Sequence, residues 1–177
     1  MNEREVVIVD GCRTAFGKKG GGLRSFAATE LGGICVRALM ERSGLEARGA
    51  MPDSLLAGMA IRDITSNAIA RYITQLAGLP YEVSATFVEM QCGSAITALN
   101  HAAWKIKMGV SDIAIVGGVE SHSNVPIPFA TDLTPYRQVP APIKHRLCPV
   151  PEMDTSMIEN SDKMAKVWGV SRQECDE

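Results

Sequence analysis

Cys92 is the residue whose place in the sequence best suits a nucleophile. The pattern of residues 85–90 predicts a strand, which continues through residues 91–94 into the strongest helical pattern of the chain. Unpaired backbone N–H groups and the positive helix end at such a junction favour a thiolate. Gly93 and Ser94 are small enough for a ligand to approach the backbone. The alternative is a buried cysteine that packs as a small hydrophobic residue, as most free cysteines do.

The other four cysteines are weaker candidates. Cys35 falls inside a predicted helix and is expected in the core, and Cys12 is expected in a loop near a strand end. Cys148 and Cys175 fall in segments with little predicted structure. The set is odd in number and has neither a CxxC pair nor a metal-ligand spacing. We therefore expect reduced thiols, no metal site and a cytoplasmic protein.

The three histidines are weak candidates for a general base. His101 lies in the Cys92 helix, nine residues and about 13 Å along its axis from the cysteine. His122 follows a predicted strand, where it could reach a site or serve a polar loop. His145 sits in the basic stretch 143–146, which fits either a solvated loop or a contact with an anionic ligand.

Alternating apolar patterns predict the elements that position Cys92. The predicted strands cover residues 6–9, 54–60, 85–90 and 113–116, and the predicted helices cover 30–43, 67–77, 93–108 and 157–168. Gly44, Gly78 and Gly169 stand where those helices should end. This alternation predicts an α/β fold with a mostly parallel sheet between helices.

Composition excludes some classes of partner and divides the chain. Eighteen Lys and Arg against 20 Asp and Glu leave a net charge of −2, so we expect no nucleic-acid partner. No apolar run approaches the length of about 18 residues needed to cross a membrane, so no membrane partner is expected. Only Pro52 and Pro80 fall in residues 1–123, and the remaining prolines cluster in 124–157. We predict one domain over 1–123 and a Pro-rich second over 124–177.

With these motifs placed, the sequence resembles the thiolase family over its whole length. The segments that carry the resemblance are residues 6–21 with their Arg-Thr-Ala and Gly-Gly stretches, Arg71 ahead of Ala-Gly-Leu-Pro at 77–80, Cys-Gly-Ser-Ala at 92–95, Gly-Gly-Val-Glu-Ser at 117–121, and 168–176. Each motif is modest alone, but five in the right order at matching distances are highly specific. The resemblance implies the N-terminal half of a thiolase-like fold, followed by part of its loop domain.

The resemblance also implies a chemistry. Cys92 would accept the acyl group of a coenzyme A thioester, with its backbone N–H in an oxyanion hole. The expected activity is forming or cleaving 3-ketoacyl-CoA in fatty acid metabolism, with acetyl-CoA acetyltransferase favoured. Acyl-CoA and CoA would be substrates, no cofactor would be permanently bound, and the subunits would form a homo-oligomer, either a dimer or a tetramer. No coenzyme-A-binding residue is assigned.

The family's catalytic histidine and second cysteine lie in Gly-His-Pro and Cys-x-Gly motifs, and this sequence contains neither motif. A capping box at Ser171 and Glu174 predicts a new helix three residues before the last residue. We therefore expect that the C-terminal half is absent and that the 177-residue segment alone is inactive.

Three positions depart from the family pattern. Ala95 replaces a glycine, His122 replaces a methionine, and Glu89 stands where many members have asparagine. A carboxylate close to a thiolate disfavours the thiolate unless the carboxylate is paired or turned away, and Arg71 is a candidate partner for Glu89.

Two other functions compete with the thiolase interpretation. A β-ketoacyl synthase also places a cysteine at a helix start, although the 13–21 loop and the 117–121 stretch look more like thiolase. The chain could instead be a non-catalytic half-subunit that binds a partner chain.

Overall fold

The sheet consists of three parallel strands. The computed structural model describes residues 4–130, 141–143 and 145–177. Strands β1 (Ser54–Gly58), β2 (Ser84–Val88) and β3 (Ala114–Gly118) lie in the order β2-β1-β3. Gly58 pairs with Val88 on one side and with Gly118 on the other. The carboxyl ends of all three strands therefore meet at one edge of the sheet.

Three helices alternate with these strands along the chain. They are α1 (Ala28–Ser43), α2 (Ile69–Ala77) and α3 (Ser94–Lys107). Gly44 and Gly78 take left-handed φ values of 62° and 79° immediately after α1 and α2, as their positions predict. The predicted α/β architecture with a parallel sheet is confirmed.

The central strand is buried on both faces because helices cover each side. Leu55 and Ala57 point into the cluster built by α1 and α2. Leu56 points the other way, into a cluster with Ala98 and Ala102 of α3. Every residue of β1 is buried, which explains its continuous rather than alternating apolar pattern.

The prediction of a strand over residues 6–9 is wrong. Among the described residues this segment has no ladder partner, and Val7, Ile8 and Val9 are 65%, 80% and 84% exposed. Both sides of β1 are taken by β2 and β3, and in the described sheet the segment does not pair with the outer edge of either of those strands. A β-branched run favours extended backbone, but a strand also needs a neighbour, and local sequence does not specify one. Charged side chains hold the flanks of the segment: Arg4 pairs with Asp112, and Asp10 pairs with Arg42.

The chain separates into two compact units, Met1–Pro126 and Ile127–Glu177. The second unit contains α4 (Met157–Trp168) and α5 (Arg172–Asp176). A capping box of Ser156 and Glu159 opens α4, and the predicted box of Ser171 and Glu174 opens α5. Gly169 ends α4 with a φ of 70°. None of the helices in the described parts of the chain is both long and apolar enough to cross a membrane.

Candidate active site

Cys92 lies in the sharp turn that joins β2 to α3. After Val88 the chain passes through one 3-10 turn, Gln91–Gly93, and α3 begins at Ser94. Gln91 has a φ of 48°, a left-handed conformation that is uncommon for a residue with a side chain. This backbone conformation reverses the chain between the strand and the helix. It leaves Cys92 exposed beside the positive end of α3.

Ser94 ties this turn to the central strand. Its side chain is buried, and its Oγ accepts a 2.8 Å hydrogen bond from the Met90 N–H. The same Oγ lies 2.6 Å from the Gln91 carbonyl oxygen and 3.2 Å from that of Met59, which follows β1. One hydroxyl thus connects both sides of the turn with the sheet. In the sequence Ser94 stands out only as a small residue, and no local signal predicts this role, because its hydroxyl bonds the preceding turn and does not cap α3.

Two glycines let α3 approach the sheet closely. A Cβ added at Gly58 would lie 2.6 Å from the Ser94 carbonyl carbon and 2.7 Å from the Ala95 nitrogen. A Cβ added at Gly118 would lie 2.8 Å from the Ala95 Cβ. Real Cβ atoms essentially never come this close to other heavy atoms. The first turn of α3, and with it Cys92, is therefore set by direct contact with the ends of β1 and β3.

Glu89 is engaged within the turn and not by Arg71. Its Oε1 accepts hydrogen bonds from the Gln91 backbone N–H at 2.9 Å and from the Gln91 side-chain amide at 3.4 Å. Arg71 donates instead to the carbonyl oxygens of Tyr81 at 3.2 Å and Val83 at 2.7 Å. The hypothesis of a Glu89–Arg71 pair is therefore wrong. Arg71 sits on α2 and stabilises the loop between α2 and β2.

The Gly-Gly-Val-Glu-Ser stretch, residues 117–121, forms hydrogen bonds that stabilise the same edge of the sheet. The Glu120 carboxylate accepts from the backbone N–H groups of Ala60 at 2.9 Å and Ile61 at 3.2 Å. The Ser121 hydroxyl donates to the Phe26 carbonyl at 3.1 Å. The chain leaving β1 and the chain leaving β3 are thereby joined next to the Cys92 turn. Glu120 is thus a backbone-binding group in this structure.

The hydrogen bonds that shape the Cys92 turn involve none of the three histidines. His101 packs further along α3 against the Trp104 ring, with 5.4 Å between ring centres. His122 follows β3 in an exposed turn, and His145 belongs to the second unit. Within the described ranges, no three His, Cys, Asp or Glu side chains are grouped so that they could hold a metal ion.

Comparison with known proteins agrees with the fold and the motifs. A family model described as "Thiolase, N-terminal domain" matches residues 6–177. The chain is 37% identical over 175 residues to the 3-ketoacyl-CoA thiolase of Bacillus subtilis, covering 98% of this chain and 42% of that protein. It is 41% identical over 123 residues to the 3-oxoadipyl-CoA/3-oxo-5,6-dehydrosuberyl-CoA thiolase of Escherichia coli, covering 70% of this chain and 31% of that protein.

A solved structure shares the architecture. The crystal structure of the Bacillus anthracis acetyl-CoA acetyltransferase superposes with a TM-score of 0.74 at 24% identity, covering 88% of this chain and 40% of that one. The α/β sheet with its cysteine turn thus has the thiolase-like fold. The chain belongs to the thiolase family and corresponds to its N-terminal domain. It spans 42% of the length of its Bacillus subtilis relative.

Proposed function

We propose that this chain is the nucleophile-bearing part of a thiolase-type acyltransferase, and that Cys92 carries the acyl group as a thioester. The observation that carries the proposal is the exposed Cys92 in the strand-to-helix turn, with a left-handed residue immediately before it. Strained backbone of this kind is concentrated at functional sites. Ser94, Gly58 and Gly118 hold the turn in place, which is the support that a reactive side chain needs.

The first half-reaction uses the thiol of Cys92 and the backbone of this turn. The Cys92 thiolate attacks the carbonyl carbon of an acyl-CoA, and a new carbon–sulfur bond forms. The carbon–sulfur bond to CoA then breaks, and CoA leaves as a thiolate that takes up the proton lost by Cys92. The N–H groups of Gln91 and Gly93 already donate to Glu89 and Met90. The Cys92 N–H is the amide that we assign to the thioester oxygen, a contribution worth about 10²–10³-fold in rate for one donor.

The second half-reaction requires a base that the thiolase resemblance assigns to the C-terminal half. Either CoA thiolate attacks the acyl-cysteine, or a carbanion formed from a second acyl-CoA does so. General acid–base help is typically worth about 10²–10⁴-fold. Residues 1–177 alone should therefore show little acetoacetyl-CoA thiolysis, and adding the C-terminal half in trans should restore it. Near-normal turnover by the segment alone would contradict this division of roles.

The proposed substrates are acyl-CoA and CoA, with no permanently bound cofactor. The names of the relatives favour 3-ketoacyl-CoA as the substrate class, within which acetyl-CoA acetyltransferase is one specific activity. We propose that this activity serves fatty acid metabolism. We further propose a cytoplasmic homo-oligomer, either a dimer or a tetramer. In the described sheet each outer strand keeps one edge unpaired, and native proteins usually cover such an edge with another element or subunit. Light scattering that finds a well-behaved monomer would count against the oligomer.

Alkylation rates test the role of Cys92 against a matched cysteine. Cys92 and Cys175 are both exposed, but Cys175 lies within the short α5. We expect iodoacetamide to modify Cys92 faster than Cys175, and acetyl-CoA to protect Cys92 alone. If both cysteines react at the same rate and acetyl-CoA protects neither, Cys92 is not the nucleophile, and the non-catalytic half-subunit becomes the better account.

A further inference from the structure

Cys12 and Cys35 form a thiol pair that the proposed acyl transfer does not use. They are 23 residues apart in the sequence, and their Sγ atoms lie 3.5 Å from each other. The Cys12 thiol lies 3.3 Å from the Cys35 carbonyl oxygen, and the Cys35 thiol lies 3.5 Å from the Cys12 carbonyl oxygen. Both side chains are half-buried. The two sulfur atoms are thus within hydrogen-bonding distance but are not joined by a covalent bond.

The surroundings of Cys12 and Cys35 allow the two sulfur atoms to move close enough for a disulfide. A disulfide needs the sulfur atoms about 2.0 Å apart, so they must approach by roughly 1.5 Å. Cys35 is fixed in α1, whereas Cys12 lies in a stretch without regular secondary structure that has no ladder partner in the described sheet. Rotation of the Cys12 side chain and a small shift of this segment can therefore close the gap.

Burial and position give the two thiols different roles. Cys35 is fixed in α1, whereas Cys12 lies in the segment that can shift towards it. Burial, followed by the hydrogen bond with Cys12, raises the pKa of the Cys35 thiol to about 11. Cys35 is therefore protonated at neutral pH, and Cys12 is the thiol that attacks first.

We propose that Cys12 and Cys35 are a reversible oxidation site. Low-molecular-weight disulfides such as oxidised glutathione oxidise the two thiols, and the product is an intramolecular disulfide. The Cys12 thiolate attacks one sulfur of the oxidant, forming a mixed disulfide and releasing one glutathione thiolate. Cys35 then loses its proton and attacks the Cys12 sulfur, which forms the Cys12–Cys35 bond and expels the second glutathione. Two protein thiols are oxidised, and one oxidised glutathione is reduced to two thiols.

The bond would tie the N-terminal segment to α1. Residues 6–9 are unpaired in the described sheet and residues 7–9 are exposed, and the segment is otherwise held at its flanks by ion pairs. Exposed ion pairs contribute little to stability, so this segment depends on few strong contacts. A covalent link to α1 restricts it directly. Neither the pair nor its oxidation involves Cys92.

Peptide mapping of the intact protein tests the proposal. The protein is exposed to oxidised glutathione at neutral pH, blocked with N-ethylmaleimide and digested without reduction. We expect a linked peptide containing Cys12 and Cys35, lighter by two hydrogen atoms than the two free peptides, that disappears after dithiothreitol. Recovery of Cys12 and Cys35 as separately blocked or separately glutathionylated peptides would overturn the proposal.

Single variants separate the two steps. In Cys35→Ser the reaction should stop at a glutathione adduct on Cys12, because no second thiol is present to displace it. In Cys12→Ser, Cys35 should remain a thiol after the same exposure. The control Cys148→Ser removes a half-buried thiol of the second unit and should leave the Cys12–Cys35 bond unchanged. Loss of the linked peptide in this control would also contradict the assignment.

Discussion

Replacing Gly58 by alanine should displace the Cys92 turn. The added Cβ would lie 2.6 Å from the Ser94 carbonyl carbon, whereas ordinary contacts begin at 3.4 Å. The end of β1 and the first turn of α3 must therefore separate by about 0.8 Å, and overpacking of this kind typically costs about 1–3 kcal/mol. A misplacement near 1 Å at a reacting group can cost up to about 10²-fold in rate. We expect Gly58→Ala to slow acylation of Cys92 by roughly 10- to 100-fold.

Gly117→Ala is the matched control for this experiment. Gly117 also lies at the end of a strand, but a Cβ there would meet no atom within 4 Å, and the residue has no left-handed φ. This variant should be neutral or stabilising by up to about 1 kcal/mol, because alanine reduces the freedom of the unfolded chain. The assays are urea unfolding and the rate at which acetyl-CoA acylates the cysteine. If Gly58→Ala matches Gly117→Ala in both assays, the close packing of α3 on β1 does not position the nucleophile.

Three further predictions concern residues that stabilise the unit Met1–Pro126, which contains Cys92. Ser94→Ala removes the acceptor of the Met90 N–H and should cost about 1–3 kcal/mol in urea unfolding, with slower Cys92 acylation; an unchanged unfolding midpoint would contradict the role of this hydroxyl. Gly118→Ala should be destabilising in the wild-type background but should have almost no effect in an Ala95→Gly background, because the colliding Ala95 Cβ is then absent. Additive losses of stability in this double-mutant cycle would refute the contact. Burial raises the pKa of Asp53, but hydrogen bonds from a neighbouring hydroxyl and from backbone N–H groups outweigh it, so the pKa lies below its ordinary value. The stability that this carboxylate contributes is therefore present above the unfolded pKa of about 3.9 and is lost as the pH falls below it. Unfolding of Asp53→Asn should depend less on pH below that value, and identical acid profiles of variant and wild type would disprove the assignment.

Local sequence patterns predicted the helices and the three strands of the sheet well. The helix predicted over 30–43 spans Ala28–Ser43, and the strand predicted over 85–90 spans Ser84–Val88. The helices have strong periodicity and glycine stops, and the strands have short apolar runs, all of which are local signals. The strand predicted over 6–9 failed for the opposite reason, because pairing is a long-range property. The alternation of elements likewise did not specify that β1 lies between β2 and β3.

The supports of the site were less predictable than Cys92 itself. The position of Cys92 follows from a strand pattern that runs into a helix pattern. The left-handed Gln91, the buried hydroxyl of Ser94 and the 3.5 Å approach of Cys12 to Cys35 depend on how distant segments pack. Charge complementarity alone suggested a Glu89–Arg71 pair, but both groups bind nearer polar atoms of the backbone.

Trapping the acyl-enzyme tests the central claim most directly. The protein is incubated with acetyl-CoA, quenched in acid and mapped by mass spectrometry. We predict one acetyl group on Cys92, released by neutral hydroxylamine as expected for a thioester, and absent from Cys92→Ala. Cys175, which is also exposed, should remain unmodified. An acetyl group that persists in Cys92→Ala, or that appears on Cys175 to the same extent as on Cys92, would contradict the assignment of Cys92 as the nucleophile.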